Sequence, residues 1–229
     1  MCGRYSLEAR PDEIAEAFDL AETFAFEARY NIAPTQSVPV VRVDQESGRR
    51  RVATIRWGLT SHPGNPRPLI NARSETVDSK PSFRKSFRSR RCLVPATGFF
   101  EWQKLGGAKQ PFFIQRADRG LFAFAGIWDE ALLGDGSPVE AFAILTTEPN
   151  RIMVPIHDRM PVLLAPEDWS TWLESDTLGQ LSALLVPAPD EVLTAIPVGN
   201  RVNSPANDDP ACIEPLLRQT GGFSEQLFD

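Results

Sequence analysis

The sequence predicts an α+β protein of one domain, with a mostly antiparallel, barrel-like β core flanked by short helices. Three observations carry this expectation. Runs rich in β-branched and aromatic residues recur at 37–43, 51–57, 111–115, 121–126 and 141–147, separated by turn-forming residues. Twenty prolines and fifteen glycines in 229 residues call for many turns and short elements, which a helix bundle would not need. The elements do not alternate strand, helix, strand, helix, so a doubly wound parallel sheet is not expected.

Along the chain, PDEIAEAFDL (11–20) opens with proline at a first helical position and sets Ile14 and Phe18 on one face, the pattern of a short helix. In GFFEW (98–102) a period of two puts Phe100 and Trp102 on one face of a strand and Phe99 and Glu101 on the other. PEDWSTWLES (166–175) and LGQLSALL (178–185) read as helices, and VLTAIPVG (192–199) as a last strand. The predicted domain covers residues 2–218. The remaining segment, 219–229, reads as a mobile tail.

Composition narrows the function. A net charge of −6 excludes a protein coated in positive potential, so any nucleic-acid contact has to be local. The best local candidate is KPSFRKSFRSRR (80–91), with six basic residues and no acid. Phe83 and Phe87 are four apart, as are Arg84 and Arg88, so a short helix there would bury the rings and present the arginines. Cys2, Cys92 and Cys212 are odd in number and widely spaced, which fits neither a disulfide framework nor a metal site, and only two histidines are present. No metal and no organic cofactor are expected. Charges throughout the first twenty residues leave no apolar core for a signal peptide, and no run is long enough to cross a bilayer. A reducing, cytoplasmic setting and a monomer follow as expectations.

Four polar residues stand in apolar or turn-forming surroundings. Cys2, once Met1 is removed, would carry a free α-amine and a thiol on adjacent carbons, a pair that condenses with an aldehyde to a thiazolidine. On position alone, a small residue at an untethered terminus explains it as well. Glu101 lies among aromatics, where an unpaired carboxylate has its pKa raised toward that of a general acid at neutral pH. His157, in MVPIHDRMPVLL, is as readily a structural histidine as a proton carrier. Asn71, in INARSET (70–76), can equally be a turn residue.

The motifs CGRY (2–5), RYNIAPTQ (29–36), WGL (57–59), INARSET, the segment 83–102, IHDRMPV (156–162) and VNSPANDDP (202–210) occur in this order. That set resembles the SRAP family, the SOS response-associated peptidases, also described as abasic-site DNA–protein crosslink proteins. The resemblance implies a barrel-like α+β fold with a basic groove for single-stranded DNA. It puts Cys2 on the family's nucleophile, Asn71 on the asparagine beside it, and Glu101 and His157 on the acid–base pair. Arg4, Arg73 and Arg84 fall on or near phosphate-contacting positions, and Arg88 and Arg159 complete the basic candidates.

In one place the chain departs from the family. Where the family continues WGL with proline and then tryptophan, this sequence reads TSHPGNP (60–66), leaving Trp57, or His62 by stacking, as the aromatic candidate. The implied activity is covalent capture of abasic single-stranded DNA, on the nucleoid when engaged, with strand cleavage as a side reaction. A thiol peptidase acting on its own Met1 or on other peptides, and a DNA-binding module with an incidental Cys2, remain as alternatives. The tail FSEQLFD (223–229), with Gln226 ahead of Leu227 and Phe228, resembles peptides that dock on a replication sliding clamp. Its folding back onto the domain is the simpler expectation.

Overall fold

One strand edge closes the architecture. In the computed structural model, which describes residues 2–60, 67–132 and 137–216, the chain runs through β1 (Tyr5–Leu7), α1 (Pro11–Ala17), β2 (Arg29–Ile32), β3 (Ser37–Val43), β4 (Arg50–Trp57), β5 (Asn71–Arg73) and α2 (Arg84–Ser89). It continues as β6 (Arg91–Ala96), β7 (Gly98–Leu105), β8 (Ala108–Arg116), β9 (Phe122–Leu132), β10 (Pro138–Thr147), β11 (Met160–Pro161) and β12 (Leu163–Leu164). Helices α3 (Trp169–Glu174) and α4 (Leu178–Ala183) and strand β13 (Leu193–Pro197) follow. Strands β4, β3, β6, β9 and β10 pair antiparallel in that order. A parallel contact of β10 with β4, Ala141 beside Arg56 and Phe142 beside Trp57, then closes the ring. Closure leaves no free edge to template aggregation.

The same edge of β10 next takes a second partner. Beyond Phe142, Ile144–Thr146 pair in parallel with β5 instead of β4. Gly58 makes the exchange possible. Its φ of +125° belongs to glycine, and a Cβ there would lie 2.6 Å from that of Pro68. Trp57, just before this turn, is wholly buried inside the barrel, stacked on Phe142 at 6.3 Å.

A second sheet, in the order β13–β8–β7–β1–β2, packs one face on the barrel. Tyr5 meets Trp57 and Phe124 edge-on at 5.3 and 5.8 Å, and Phe99 meets Phe124 at 5.9 Å. The other face carries a separate small core of Phe100, Phe113, Val198, Val202 and Cys212, with Trp102 against it. The alternation expected for 98–102 therefore holds, with Phe99 turned to the barrel and Phe100 and Trp102 to the second core.

Helix α2 forms where the basic run predicted it, with Phe83 and Phe87 buried and Arg84, Lys85 and Arg88 exposed. The last two arginines of the run serve the fold. Arg90 pairs with Asp129 and lies over the Trp128 ring at 5.2 Å. Arg91 is buried and donates to the carbonyls of Phe87, Arg88, Trp172, Leu173 and Ser175, so one guanidinium satisfies the C-terminal ends of both α2 and α3. His62 and the 219–229 tail lie outside the described residues. Among the described residues no helix is long and apolar enough to cross a membrane.

Within the barrel Gly126 sits opposite Cys92, and an added Cβ would lie 2.7 Å from the Cys92 sulfur and 2.9 Å from Val94. Overpacking of this kind typically costs about 1–3 kcal/mol. Gly126→Ala should lower stability in urea unfolding by that amount, and Cys92→Ala in the same chain should restore part of it. Equal stabilities for Gly126→Ala and the parent would contradict the packing described.

Candidate active site

Burial and a strand register bring the first candidate residues together. The Phe100 amide donates to the Arg4 carbonyl at 2.9 Å, which extends the β1–β7 pairing toward the amino terminus and carries Cys2 along β7 toward Glu101 and Trp102. Cys2 is fully buried. Burial pushes its thiol pKa well up, and the nearby Glu101 carboxylate pushes it further. Glu101, on the barrel-facing side of β7, is 3% exposed, and burial raises its pKa to about 7. The carboxyl is thus shared between its two protonation states at neutral pH.

His157 reaches this pair from a tight turn. The Asn150 carbonyl accepts from the amides of Met153 and Val154 at 3.0 Å, its Oδ1 accepts from Met153 at 3.1 Å, and its Nδ2 donates to the Ala188 carbonyl. The Met153 carbonyl then accepts the His157 amide at 2.9 Å. Gln103 of β7 donates to the Pro155 carbonyl at 2.8 Å and ties the turn to the strand that carries Glu101. His157 Nε2 ends 3.9 Å from Glu101 Oε2. Burial lowers the imidazole pKa, which favours the neutral form. Asn150 and Gln103 were not singled out in the sequence. An asparagine three residues ahead of an apolar turn is a recognisable capping signal, whereas Gln103 has no sequence signature.

Asn71 stands on β5, paired beside Ile144 of β10. Its Nδ2 donates to the Ile70 carbonyl at 2.9 Å, and its buried Oδ1 has no hydrogen-bond partner. A buried acceptor left empty costs about 1–3 kcal/mol, so this oxygen suits an arriving donor. A cavity of about 650 Å³ opens beside it, lined by Asn71, Arg73, Thr76, Ser79, Lys80 and Phe83. Arg73 and Lys80 are exposed on this side, as are Arg84 and Arg88 of α2.

Comparison with known proteins bears on this arrangement. The family model described as SOS response associated peptidase (SRAP) matches residues 1–205. The chain belongs to the SRAP family. Abasic site processing protein YoqW of Bacillus subtilis is 37% identical to it over 224 residues, covering 93% of this chain and 99% of that one. Abasic site processing protein YedK of Escherichia coli is 30% identical, covering 94% of this chain and 100% of its own. A crystal structure of a protein from Bacteroides thetaiotaomicron superposes with a TM-score of 0.82 at 28% identity, over 94% of this chain and all of that one.

The structure gives several SRAP motifs physical roles, takes Trp57 out of the reach of a base and shows what holds Arg159 and Arg4. Trp57 is 0% exposed and its Nε1 donates to the Ile70 carbonyl at 3.0 Å, so it cannot stack on a base. A large aromatic at the end of a barrel strand fills the interior there, and this one fixes the backbone next to Asn71. Arg159 is not a free cation. It makes a bidentate pair with Glu75 and donates to the Thr146 carbonyl at 2.6 Å. Arg4 is half-buried and held by the Asn31 side chain and the Val202 carbonyl, at 2.8 and 2.6 Å. The VNSPANDDP segment supplies that clamp, since Asn31 also donates to the Val202, Ser204 and Asn207 carbonyls and Asp208 accepts the amides of Tyr30 and Asn31.

The Glu101 environment makes a testable demand on stability. An unfolded glutamate titrates near ~4.3, the folded one near 7. Between these values the folded chain keeps a proton that the unfolded chain has released. The contribution of Glu101 to stability is therefore full below the unfolded value and lost as pH rises through 7. Glu101→Gln cannot ionise, so its stability relative to the parent should rise from pH 5 to pH 8 in urea unfolding. A constant difference across that range would show that burial does not perturb Glu101.

Proposed function

We propose that the chain captures abasic sites in single-stranded DNA as a covalent thiazolidine through Cys2, after loss of Met1. The observation that carries this reading is the grouping of buried Cys2 and Glu101 with the partly buried His157, in a chain that also exposes the bases Arg73, Lys80, Arg84 and Arg88. The printed names of the relatives, abasic site processing proteins, support the substrate.

The protonation states fix the order of steps. The buried thiol is held neutral, so the α-amine of the same residue is the first nucleophile. Its nitrogen attacks the C1′ aldehyde of the ring-opened deoxyribose. Glu101, whose burial puts its pKa at about 7, donates a proton to the departing hydroxyl, water leaves as the C=N bond forms, and the nitrogen's proton returns to Glu101. The thiol then adds to the same carbon. An S–C bond forms, the thiol proton passes to the nitrogen, and the five-membered ring closes. One water is lost overall and nothing is oxidised or reduced.

Asn71 Oδ1, buried without a partner, can accept a hydrogen from the amine and hold its lone pair toward the sugar. As the sugar ring opens, the C1′ hydroxyl gives up a proton and O4′ receives one from His157, so the aldehyde forms with no net change in protons. If the imine persists, β-elimination breaks the strand, so thiol addition protects the DNA. Peptidase action on other proteins is the weaker reading, because the Cys2 thiol is both buried and held protonated. Removal of the chain's own Met1 is the proteolytic step this mechanism requires.

Cys2→Ala keeps a terminal amine but no thiol. Incubated with abasic single-stranded DNA, it should give no heat-stable band on a denaturing gel unless borohydride is added, and it should nick the strand more than the parent. A stable crosslink without borohydride would overturn the thiazolidine.

A further inference from the structure

The His157 ring nitrogen on the far side of the site has two neighbours with opposite requirements. The Arg159 amide donates to Nδ1 at 3.0 Å, which needs a lone pair on that nitrogen. Asp158 Oδ1 lies 2.8 Å from the same atom, which needs a proton on it. Nδ1 cannot meet both demands at once. With Arg159 served, the neutral ring carries its hydrogen on Nε2, toward Glu101. With Asp158 served, Nδ1 carries the hydrogen, and a neutral ring then offers the Nε2 lone pair to the site.

We propose that Asp158 is a positioning residue that sets the tautomer of His157, opposing the Arg159 amide so that Nε2 can take up a proton in the reaction. The inference rests on the reading of His157 as a proton carrier during capture of the abasic sugar. Without Asp158 the backbone amide would favour the neutral Nε2–H tautomer, which has no lone pair at Nε2 to take up a proton and is too weak an acid to give one to O4′ as the sugar ring opens. With Asp158, a proton arriving at Nε2 gives an imidazolium whose Nδ1–H already has an acceptor. The proton is later returned from Nε2, so the cycle is closed and requires no side-chain movement.

The other charges around the ring do not replace this one. Glu101 faces Nε2, not Nδ1. Burial, the amino-terminal charge and Lys104 all disfavour the imidazolium, and Asp158 opposes them. The Asp158 side chain is 88% exposed, so solvent screens the pair and its effect is modest. That exposure also makes its replacement harmless to folding.

The test reads the ring directly. Full-length protein with 15N-labelled histidine, assigned with a His62→Gln variant, reports tautomer and titration midpoint of His157 by long-range 1H–15N correlation. Asp158→Ala and Asp158→Asn should move the neutral ring toward Nε2–H and lower the midpoint by about 0.3–0.7 pH unit, the scale of an exposed ion pair. Asp158→Glu should restore part of both. The two charge-removing variants should also crosslink abasic DNA severalfold more slowly, with the pH–rate profile displaced in the same direction as the midpoint. Unchanged nitrogen shifts in Asp158→Ala would overturn the proposal, as would shifted tautomers with an unchanged rate. A parent protein that never crosslinks would sink the functional reading instead, while the nitrogen shifts still decide the tautomer.

Discussion

The site depends on how β10 shares one edge between two strands. Along that edge Ala141 and Phe142 pair with β4 and Ile144–Thr146 with β5, and Gly58 is the hinge that lets one replace the other. The first pairing closes the barrel. The second sets Asn71 and Arg73 beside β10, where they line a cavity. On the opposite edge, Thr146 and Thr147 pair with β11, so the HDR segment reaches the same end of the barrel from the other side. The ion pair of Arg159 with Glu75 then bridges the two flanks. Without this seam neither Asn71 nor the HDR segment would be held against β10.

A single physical effect, burial, tunes the chemistry in both directions required. It keeps the Cys2 thiol protonated, and it raises the Glu101 carboxyl to about 7. The same burial lowers His157. The fold supplies the dry environment through Tyr5, Trp57, Phe99 and Phe124, the aromatics by which the second sheet packs on the barrel. Aromatic packing and acid–base tuning are therefore the same interface seen from two sides.

Much of this was legible in the sequence because it is local. The alternation in GFFEW places Glu101 correctly, the 3.6-residue spacing of Phe83 and Phe87 gives α2 its buried face, and β3 spans Ser37–Val43 as its β-branched run suggests. The short strands β1, β2 and β5 carry too few residues for a period, and Pro95 within β6 reads as a breaker although the strand lies in the barrel. The basic run could not reveal that Arg90 and Arg91 are structural, since their partners, Asp129 and the α3 carbonyls, lie 39 or more residues away. Trp57 misled for the same reason: an aromatic at a strand end gives no local sign of which side of the barrel wall it occupies.

The central claim is that amine and thiol of the same residue both bond to the sugar carbon. Mass spectrometry of the parent protein after incubation with an abasic oligonucleotide, followed by nuclease and protease digestion, tests it most directly. The account predicts an adduct confined to the Met1-free N-terminal peptide, formed with loss of one water, stable without reductant, and with a Cys2 sulfur that no longer reacts with an alkylating reagent. An adduct on a lysine, or a Cys2 that is joined to DNA yet still alkylated at sulfur, would contradict it.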